Sequence, residues 1–131
     1  MILLDTCAII WDALDRSKLT GEASAAIAKA DEHNALIICD ISIWEIAMLI
    51  QRDRIKVECT AANFIDLYLA SRNLAVVTIS PEIAELSTSF GQEINNDPAD
   101  RIIAATSIIH NAQLVTADMN LRQSSLVDTI W

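Results

Sequence analysis

The sequence predicts a single doubly wound α/β domain whose mainly parallel sheet is flanked by helices. Short apolar runs alternate with longer segments of helical composition, and this alternation is typical of βαβ units. The apolar runs carry few polar residues, as strands that are buried on both faces do. The chain has 131 residues, 53% of them hydrophobic, so one domain over 1–131 can bury a core without disulfides or a structural metal.

The first half of the chain begins with "MILL", residues 1–4, which predicts a buried strand. A helix over 20–34 follows and ends at polar residues, and "ALIIC", residues 35–39, predicts a second strand. The next helix is expected to begin at Ser42, with basic residues at its end as the helix dipole favours.

The second half continues the same pattern. Pro81 and Pro98 each suit the first turn of a helix, where a missing N–H costs nothing. The predicted helices cover 60–73, 81–90 and 98–111, and the predicted strands cover 74–79, 113–117 and, at the end of the chain, 126–131.

Composition narrows the possible classes of protein. The net charge is −9, from 18 acidic and 9 basic residues, so binding to nucleic acid would need cations or a local basic strip. No apolar run approaches the roughly 20 residues that cross a bilayer, and an acid at position 5 interrupts any signal peptide. Cys7, Cys39 and Cys59 stand among apolar neighbours, which predicts buried, reduced thiols in a cytoplasmic protein.

Four acidic residues are expected at one edge of the sheet. Asp5 and Asp118 directly follow predicted strands, and Glu45 and Asp100 fall in the first turns of predicted helices. The carboxyl ends of parallel strands and the starts of the helices that follow share one edge, where such folds bind ligands. The four carboxylates can therefore converge on one site.

Each acid also has a purely structural explanation. Ser42 and Glu45 match the S-x-x-E capping box, and Asp97 before Pro98 reads as a helix N-cap. Asp100 complements a helix dipole, Asp5 suits a turn and Asp118 suits an N-cap. Four coincidences at one edge are less probable than one shared cause. Crowded carboxylates need a cation, and oxygen ligands alone point to Mg²⁺ or Mn²⁺.

Four segments together carry a resemblance to a known family, the PIN domains, and within it to the VapC-type toxins of bacterial toxin–antitoxin pairs. They are "MILLDTCAIIW", "ISIWEIAMLI", "DPADRIIAATSI" and "LVTAD". The resemblance covers essentially the whole chain, with order and spacing preserved. It implies a PIN-like fold and metal-dependent cleavage of RNA. It also implies a homodimer and a cognate small antitoxin protein.

Carried over residue by residue, the resemblance implies an acidic site of Asp5, Glu45, Asp100 and Asp118. We expect Asp5 and Asp100 to bind Mg²⁺ or Mn²⁺ directly, and Glu45 and Asp118 to bind the metal or orient its waters. Residues expected to support these acids by hydrogen bonds are Thr6, Asp97 and Thr116, although β-propensity and local backbone bonds also explain the two threonines.

The chain departs from the family pattern in two places. A glycine often follows the Glu45 helix in relatives, within a "KGRI"-like stretch, whereas this chain reads "QRDRIK" with Asp53 at that point. Many relatives carry a histidine before "DPADR", where this chain has Asn95 and Asn96. Arg101, beside Asp100, is expected to pair with a nearby acid.

Other residues are given ordinary roles. A basic strip of Arg52, Arg54 and Lys56 can touch phosphates, but a solvated helix end is favoured. The tryptophans are expected in the core or at an interface.

Two alternative functions remain open. A catalytically silent PIN-like interaction module has the same fold, and a receiver-like phosphoacceptor domain also combines an aspartate with Mg²⁺. A receiver-like domain needs a lysine at the end of one of the later strands, and none of the lysines, at positions 18, 29 and 56, lies at such a place.

Overall fold

A computed structural model describes all 131 residues, and its strands form one sheet. The strands are β1 (Ile2–Leu4), β2 (Leu36–Cys39), β3 (Leu74–Val77), β4 (Gln113–Val115) and β5 (Thr129–Ile130). Their order is β3-β2-β1-β4-β5, and every neighbouring pair is parallel. The chain runs outward from β1 to β3 and then returns to continue from β4 to β5. The doubly wound prediction is confirmed, with the reversal of direction between β1 and β4.

Seven helices connect or flank the strands. They are α1 (Thr6–Leu14), α2 (Gly21–Glu32), α3 (Asp40–Gln51), α4 (Ala61–Ser71), α5 (Pro81–Ser89), α6 (Pro98–Ile109) and α7 (Met119–Gln123). The sequence analysis did not predict α1, whose nine residues are mostly apolar, or α7, which has only five residues. No helix is both long and apolar enough to cross a membrane.

Alternation along the strands divides the core into two layers. Leu4, Leu36, Ile38 and Val115 pack with the buried faces of α1, α2 and α4. Their strand neighbours Leu3, Ile37, Cys39 and Leu114 pack instead with α6 and α7. Successive side chains of a strand point to opposite faces, so helices cover the central strands on both sides.

The strand β3 differs from this pattern because it lies at the edge of the sheet. Ala75 and Val76 are exposed although the strand was predicted to be buried. The prediction of buried cysteines is also wrong in part: Cys39 is buried, but Cys7 and Cys59 are exposed.

One buried acid holds three helices together and has no part in the predicted site. Asp12 of α1 accepts hydrogen bonds from the Tyr68 hydroxyl (2.9 Å) and from Arg72 Nη2 (2.7 Å). Arg72 also pairs with Asp31 of α2 at 3.0 Å. The paired carboxylates raise the pKa of Arg72 further above its ordinary value. This network ties α1 and α2 to α4 and the turn that follows it.

Three helices end at a residue with left-handed backbone conformation, and none of these residues is glycine. They are Asn34 after α2, Asp53 after α3 and Asn111 after α6, with φ of 53°, 57° and 49°. In each case the next N–H bonds back to a carbonyl five residues earlier, as Arg54 N–H does to Leu49 (2.9 Å). These are Schellman-type ends. The helix before Asp53 therefore ends as it would with the glycine found in relatives.

We predict that Asp53→Gly stabilises the protein by about 0.5–1 kcal/mol, because glycine adopts positive φ without steric cost. Asp53→Ala is expected to be less stable than Asp53→Gly, since alanine keeps the Cβ and lacks a polar group. Urea unfolding measures both changes. An Ala variant at least as stable as the Gly variant would contradict this account of the helix end.

Candidate active site

The four predicted acids line one pocket at the carboxyl ends of β1 and β4. Its volume is about 360 Å³, and the other lining residues are Thr6, Cys7, Trp11, Leu49 and Ala117. Asp5 directly follows β1, Asp100 is the third residue of α6, and Asp118 stands immediately before α7. Glu45 lies in the second turn of α3 rather than the first, because that helix begins at Asp40. The structure thus brings these side chains together, while their catalytic roles stay predictions.

Asp5 combines a structural contact with a place in the pocket. Its Oδ1 accepts a hydrogen bond from the Ala8 N–H (2.8 Å) and so caps α1. Only 8% of the residue is exposed. Burial raises the pKa of Asp5 to about 6, and the charges of Asp118 and Glu45 contribute to the increase. Hydrogen bonds from Thr116 and Ala8 oppose the shift without cancelling it.

Thr116 links Asp5 to Asp118. The threonine is fully buried, hydrogen-bonds to Asp5, and its Oγ1 accepts a bond from the Asp118 N–H (3.0 Å). The Asp118 carboxylate in turn caps α7 by accepting from the Leu121 N–H (3.0 Å). The same buried hydroxyl therefore contacts the Asp5 side chain and the backbone of Asp118.

Glu45 is held by the hydroxyl group of Thr6. Thr6 Oγ1 donates to Glu45 Oε1 and lies 3.0 Å from Ser42 Oγ, which is fully buried. Ser42 is not a helix N-cap, so the predicted capping box with Glu45 is wrong. Placing the helix start two residues too late concealed this contact. Burial raises the pKa of Glu45, with a smaller contribution from the charge of Asp97.

Asp97 and Asp100 divide the roles at the start of α6. Asp97 is the N-cap, since its Oδ1 accepts from the Asp100 N–H (3.1 Å). Asp100 instead lies in the pocket, and its Oδ2 accepts from Asn95 Nδ2 (3.0 Å). Burial raises the pKa of Asp100 to about 6, with added repulsion from Asp97, Asp118 and Glu45.

Two residues near the start of α6 have roles that the sequence did not reveal: Arg101, the fourth residue of the helix, and Asn95, in the loop before it. Arg101 pairs with no acid, contrary to expectation; its guanidinium donates to the carbonyls of five residues, namely Ser87, Phe90, Gly91, Ile94 and Asn95. Asn95 contacts Asp100 directly. The only available signal was an asparagine where many relatives have histidine.

The pocket has an uncompensated negative charge. No lysine, arginine or histidine lines it, and the ion pairs of the protein lie elsewhere: they join Asp12 to Arg16 and Arg72, and Arg72 to Asp31. Although Cys7 is exposed, desolvation of its thiol within the pocket and the charges of the neighbouring carboxylates raise the pKa of that thiol to about 11, so its thiolate is scarce at neutral pH. The accessible donors are therefore carboxylate oxygens.

This donor set fits Mg²⁺ or Mn²⁺, which prefer oxygen ligands. The side chains are not closed around a common point: no three acidic, histidine or cysteine groups stand close enough to hold an ion. Mg²⁺ usually retains several waters and takes only one or two carboxylates, so an open arrangement is compatible with it.

Tryptophans and basic residues occupy the surroundings. Trp11 lines the pocket and packs on Trp131 with ring centroids 5.6 Å apart. Trp44, next to Glu45, is 60% exposed. Arg52, Arg54 and Lys56 are all exposed beyond the end of α3.

Comparisons with known proteins agree with the fold and with the sequence resemblance. Residues 2–125 match the PIN domain family. Ribonuclease VapC22 of Mycobacterium tuberculosis is 34% identical over 121 residues, which are 92% of this chain and 89% of that protein.

Two solved structures share the fold across nearly the whole chain. VapBC2 from Rickettsia felis, bound to a promoter DNA fragment, has a TM-score of 0.72 at 19% identity and covers 98% of this chain and 97% of its own. A toxin–antitoxin complex from Klebsiella pneumoniae has a TM-score of 0.66 at 22% identity, covering 97% and 95%. The fold, the sequence match and the order of the acidic segments lead to one conclusion: this chain belongs to the PIN-domain family.

Proposed function

We propose that this protein is a Mg²⁺- or Mn²⁺-dependent ribonuclease that acts as the toxin of a toxin–antitoxin pair. The observation that carries the proposal is a single pocket lined by Asp5, Glu45, Asp100 and Asp118 with no basic side chain. The 34% identical relative named as a ribonuclease supports the choice of RNA as substrate.

Asp5 and Asp100 are the proposed direct metal ligands. Glu45 and Asp118 complete the negative environment and position waters. A bound cation would supply the charge that lowers the pKa of an attacking water and stabilises the departing oxygen. Thr116 holds Asp5 and Thr6 holds Glu45, so these hydroxyls restrict the carboxylates to orientations that suit binding.

A protein with a net negative charge needs a local source of positive charge to bind RNA, and we propose two such sources. The metal neutralises the pocket, and the basic strip of Arg52, Arg54 and Lys56 is free to contact phosphates because all three side chains are exposed. The helix α3 joins Glu45 to Arg52 over seven residues, about 10 Å along its axis. Phosphates flanking the cleaved bond can therefore reach the strip.

The alternative functions fit the pocket less well. An interaction module would gain nothing from desolvating Asp5 and Asp100, whose burial without a basic partner costs free energy. A receiver-like domain requires a lysine facing its aspartate, and none lines the pocket.

We also propose two protein partners in a cytoplasmic setting. The Klebsiella pneumoniae neighbour is described as a toxin–antitoxin complex, and an acidic pocket attracts an Arg or Lys from an antitoxin's C-terminal segment toward Asp5 and Asp100. We expect a homodimer on the family resemblance; Trp44 and Val76, which are 60% and 39% exposed, are large apolar side chains available to such an interface.

We predict that the protein expressed alone arrests growth and cleaves RNA only with Mg²⁺ or Mn²⁺. Asp5→Asn and Asp100→Asn should each lower cleavage by at least about a hundredfold, because each removes a ligand. Asparagine also caps helices well, so Asp5→Asn should remain folded. Asp66→Asn, an exposed change on α4, is the matched control. End mapping of cellular RNA and cleavage assays measure the effect, and full activity in both pocket variants would refute the nuclease assignment.

We predict that Mn²⁺ or Mg²⁺ raises the melting temperature at pH 7 by binding the native state. Asp5→Asn should show a much smaller increase, since one ligand is lost. Without metal, Asp5→Asn should melt no lower than the parent, because repulsion is relieved. Equal metal responses in the two proteins would contradict a shared site.

The same melts should depend on pH in a definite direction. The folded-state pKa values of Asp5 and Asp100 are about 6, above the ordinary 3.8. Their contribution favours the native state fully below about 3.8 and is lost as pH rises through 6. The chelated parent should therefore gain stability from pH 7 to pH 5, and Asp5→Asn should gain less.

We predict that the protein copurifies from its host with a small antitoxin and that the isolated toxin is dimeric. Replacing the Arg or Lys nearest the antitoxin's C-terminus by Ala should weaken the complex, since the acidic pocket loses its counter-charge. Light scattering and copurification provide the measurements. Recovery of only monomeric, partner-free protein would count against both partners.

A further inference from the structure

We propose that Asn95 is a positioning residue that fixes the Asp100 carboxylate for metal binding; this rests on the proposed function. The residue stands in the loop before α6 and is partly buried. Its side chain contacts Asp100, while its backbone is bonded to two other parts of the fold.

The orientation of the Asn95 amide follows from its two side-chain contacts. Oδ1 lies 2.8 Å from the Asp97 N–H, which can only donate, so that atom must be the oxygen. The nitrogen Nδ2 is then the atom 3.0 Å from Asp100 Oδ2. Asp100 therefore always receives a donor at Oδ2.

The backbone of Asn95 is anchored on both sides. Its N–H donates to Asn120 Oδ1 (2.9 Å), and its carbonyl accepts from Arg101 Nε (2.8 Å). Asn120 belongs to α7, the helix that Asp118 caps. Asn95 thus joins Asp100 to the helix that follows Asp118. The four other carbonyl contacts of Arg101 hold the end of α5 and the loop that contains Asn95.

A neutral amide is well suited to this position. It supplies a donor that favours the ionised form of Asp100, as a hydrogen bond to a carboxylate does. A lysine or arginine there would do the same but would also neutralise the pocket and repel a cation. Asn95 therefore orients one oxygen of Asp100 while leaving the negative charge available to the metal.

Asn95→Ser isolates this contact. Serine can still accept from the Asp97 N–H in a turn of the same kind, but its side chain is too short to reach Asp100. Asn96→Ser is the matched control, because Asn96 is the next residue of the same loop, is exposed and has no side-chain hydrogen bond to Asp100.

The test is a Mn²⁺ titration of the full-length proteins followed by calorimetry and by the shift in melting temperature. We expect Asn95→Ser to raise the half-saturating Mn²⁺ concentration about tenfold, the effect of losing one supporting hydrogen bond to a ligand. Asn96→Ser should leave it unchanged. At saturating Mn²⁺, Asn95→Ser should recover most of its RNA cleavage, which loss of a catalytic group would not permit.

Asn120→Ala gives a second measure, since it loosens the loop backbone at Glu93 and Asn95 and leaves the Asn95 side chain intact. A rise of about threefold is expected, a fraction of the effect of losing the direct contact. If Asn95→Ser does not fold, this variant decides. Unchanged Mn²⁺ affinity in Asn95→Ser, or an equal loss in Asn96→Ser, overturns the role of Asn95 while leaving the metal site intact. A parent protein that does not respond to Mn²⁺ refutes the proposed function itself, and the inference with it.

Discussion

Parallel pairing of β1 with β4 is the constraint on which the rest of the structure depends. The register sets Leu4 opposite Val115, so both strands end at the same level and the chain leaves them side by side. Asp5 and Asp118 follow from these ends, and the fully buried Thr116 bonds to both. Because the reversal of chain direction lies between the same strands, a crevice opens where no connecting helix crosses the edge.

Helix capping and the acidic site use the same carboxylates. Asp5 and Asp118 each cap a helix and also line the pocket. The structural explanation of these acids is thus correct but incomplete. Capping explains why each carboxylate accepts a hydrogen bond from a helix N–H group, but it does not explain why no basic side chain lines the pocket. Asp97 caps without lining the pocket, and Asp100, three residues later, lines it without capping. At the start of α6, the N-cap position therefore holds the supporting acid, Asp97, and the third helical position holds the proposed metal ligand, Asp100.

The contrast between two buried acids shows what the pocket lacks. Asp12 is 4% exposed and is bonded to Arg72 and Tyr68, so its charge is offset within the fold. Asp5 is 8% exposed and has no basic neighbour in the pocket. The fold therefore supplies a basic side chain to the buried carboxylate of Asp12, but it supplies none to Asp5 at the carboxyl ends of β1 and β4. This difference is the physical argument for an external cation.

Much of this arrangement was predictable from sequence, and the exceptions have identifiable causes. Apolar strand patterns predicted the doubly wound sheet, and acids after strands predicted which side chains share an edge. The start of α3 was misplaced because Ser42 imitates a cap, although it is buried beside Thr6. The contact of Asn95 with Asp100 depends on the conformation of the loop before α6. The local pattern of apolar and polar residues in the sequence does not predict that conformation. Arg101 illustrates the point: its neighbour in sequence is an acid, yet its guanidinium is satisfied by five carbonyls, one at the end of α5 and four in the loop that follows, because their combined geometry matches its donors. By turning away from Asp100, Arg101 holds the loop and leaves the pocket without a positive charge.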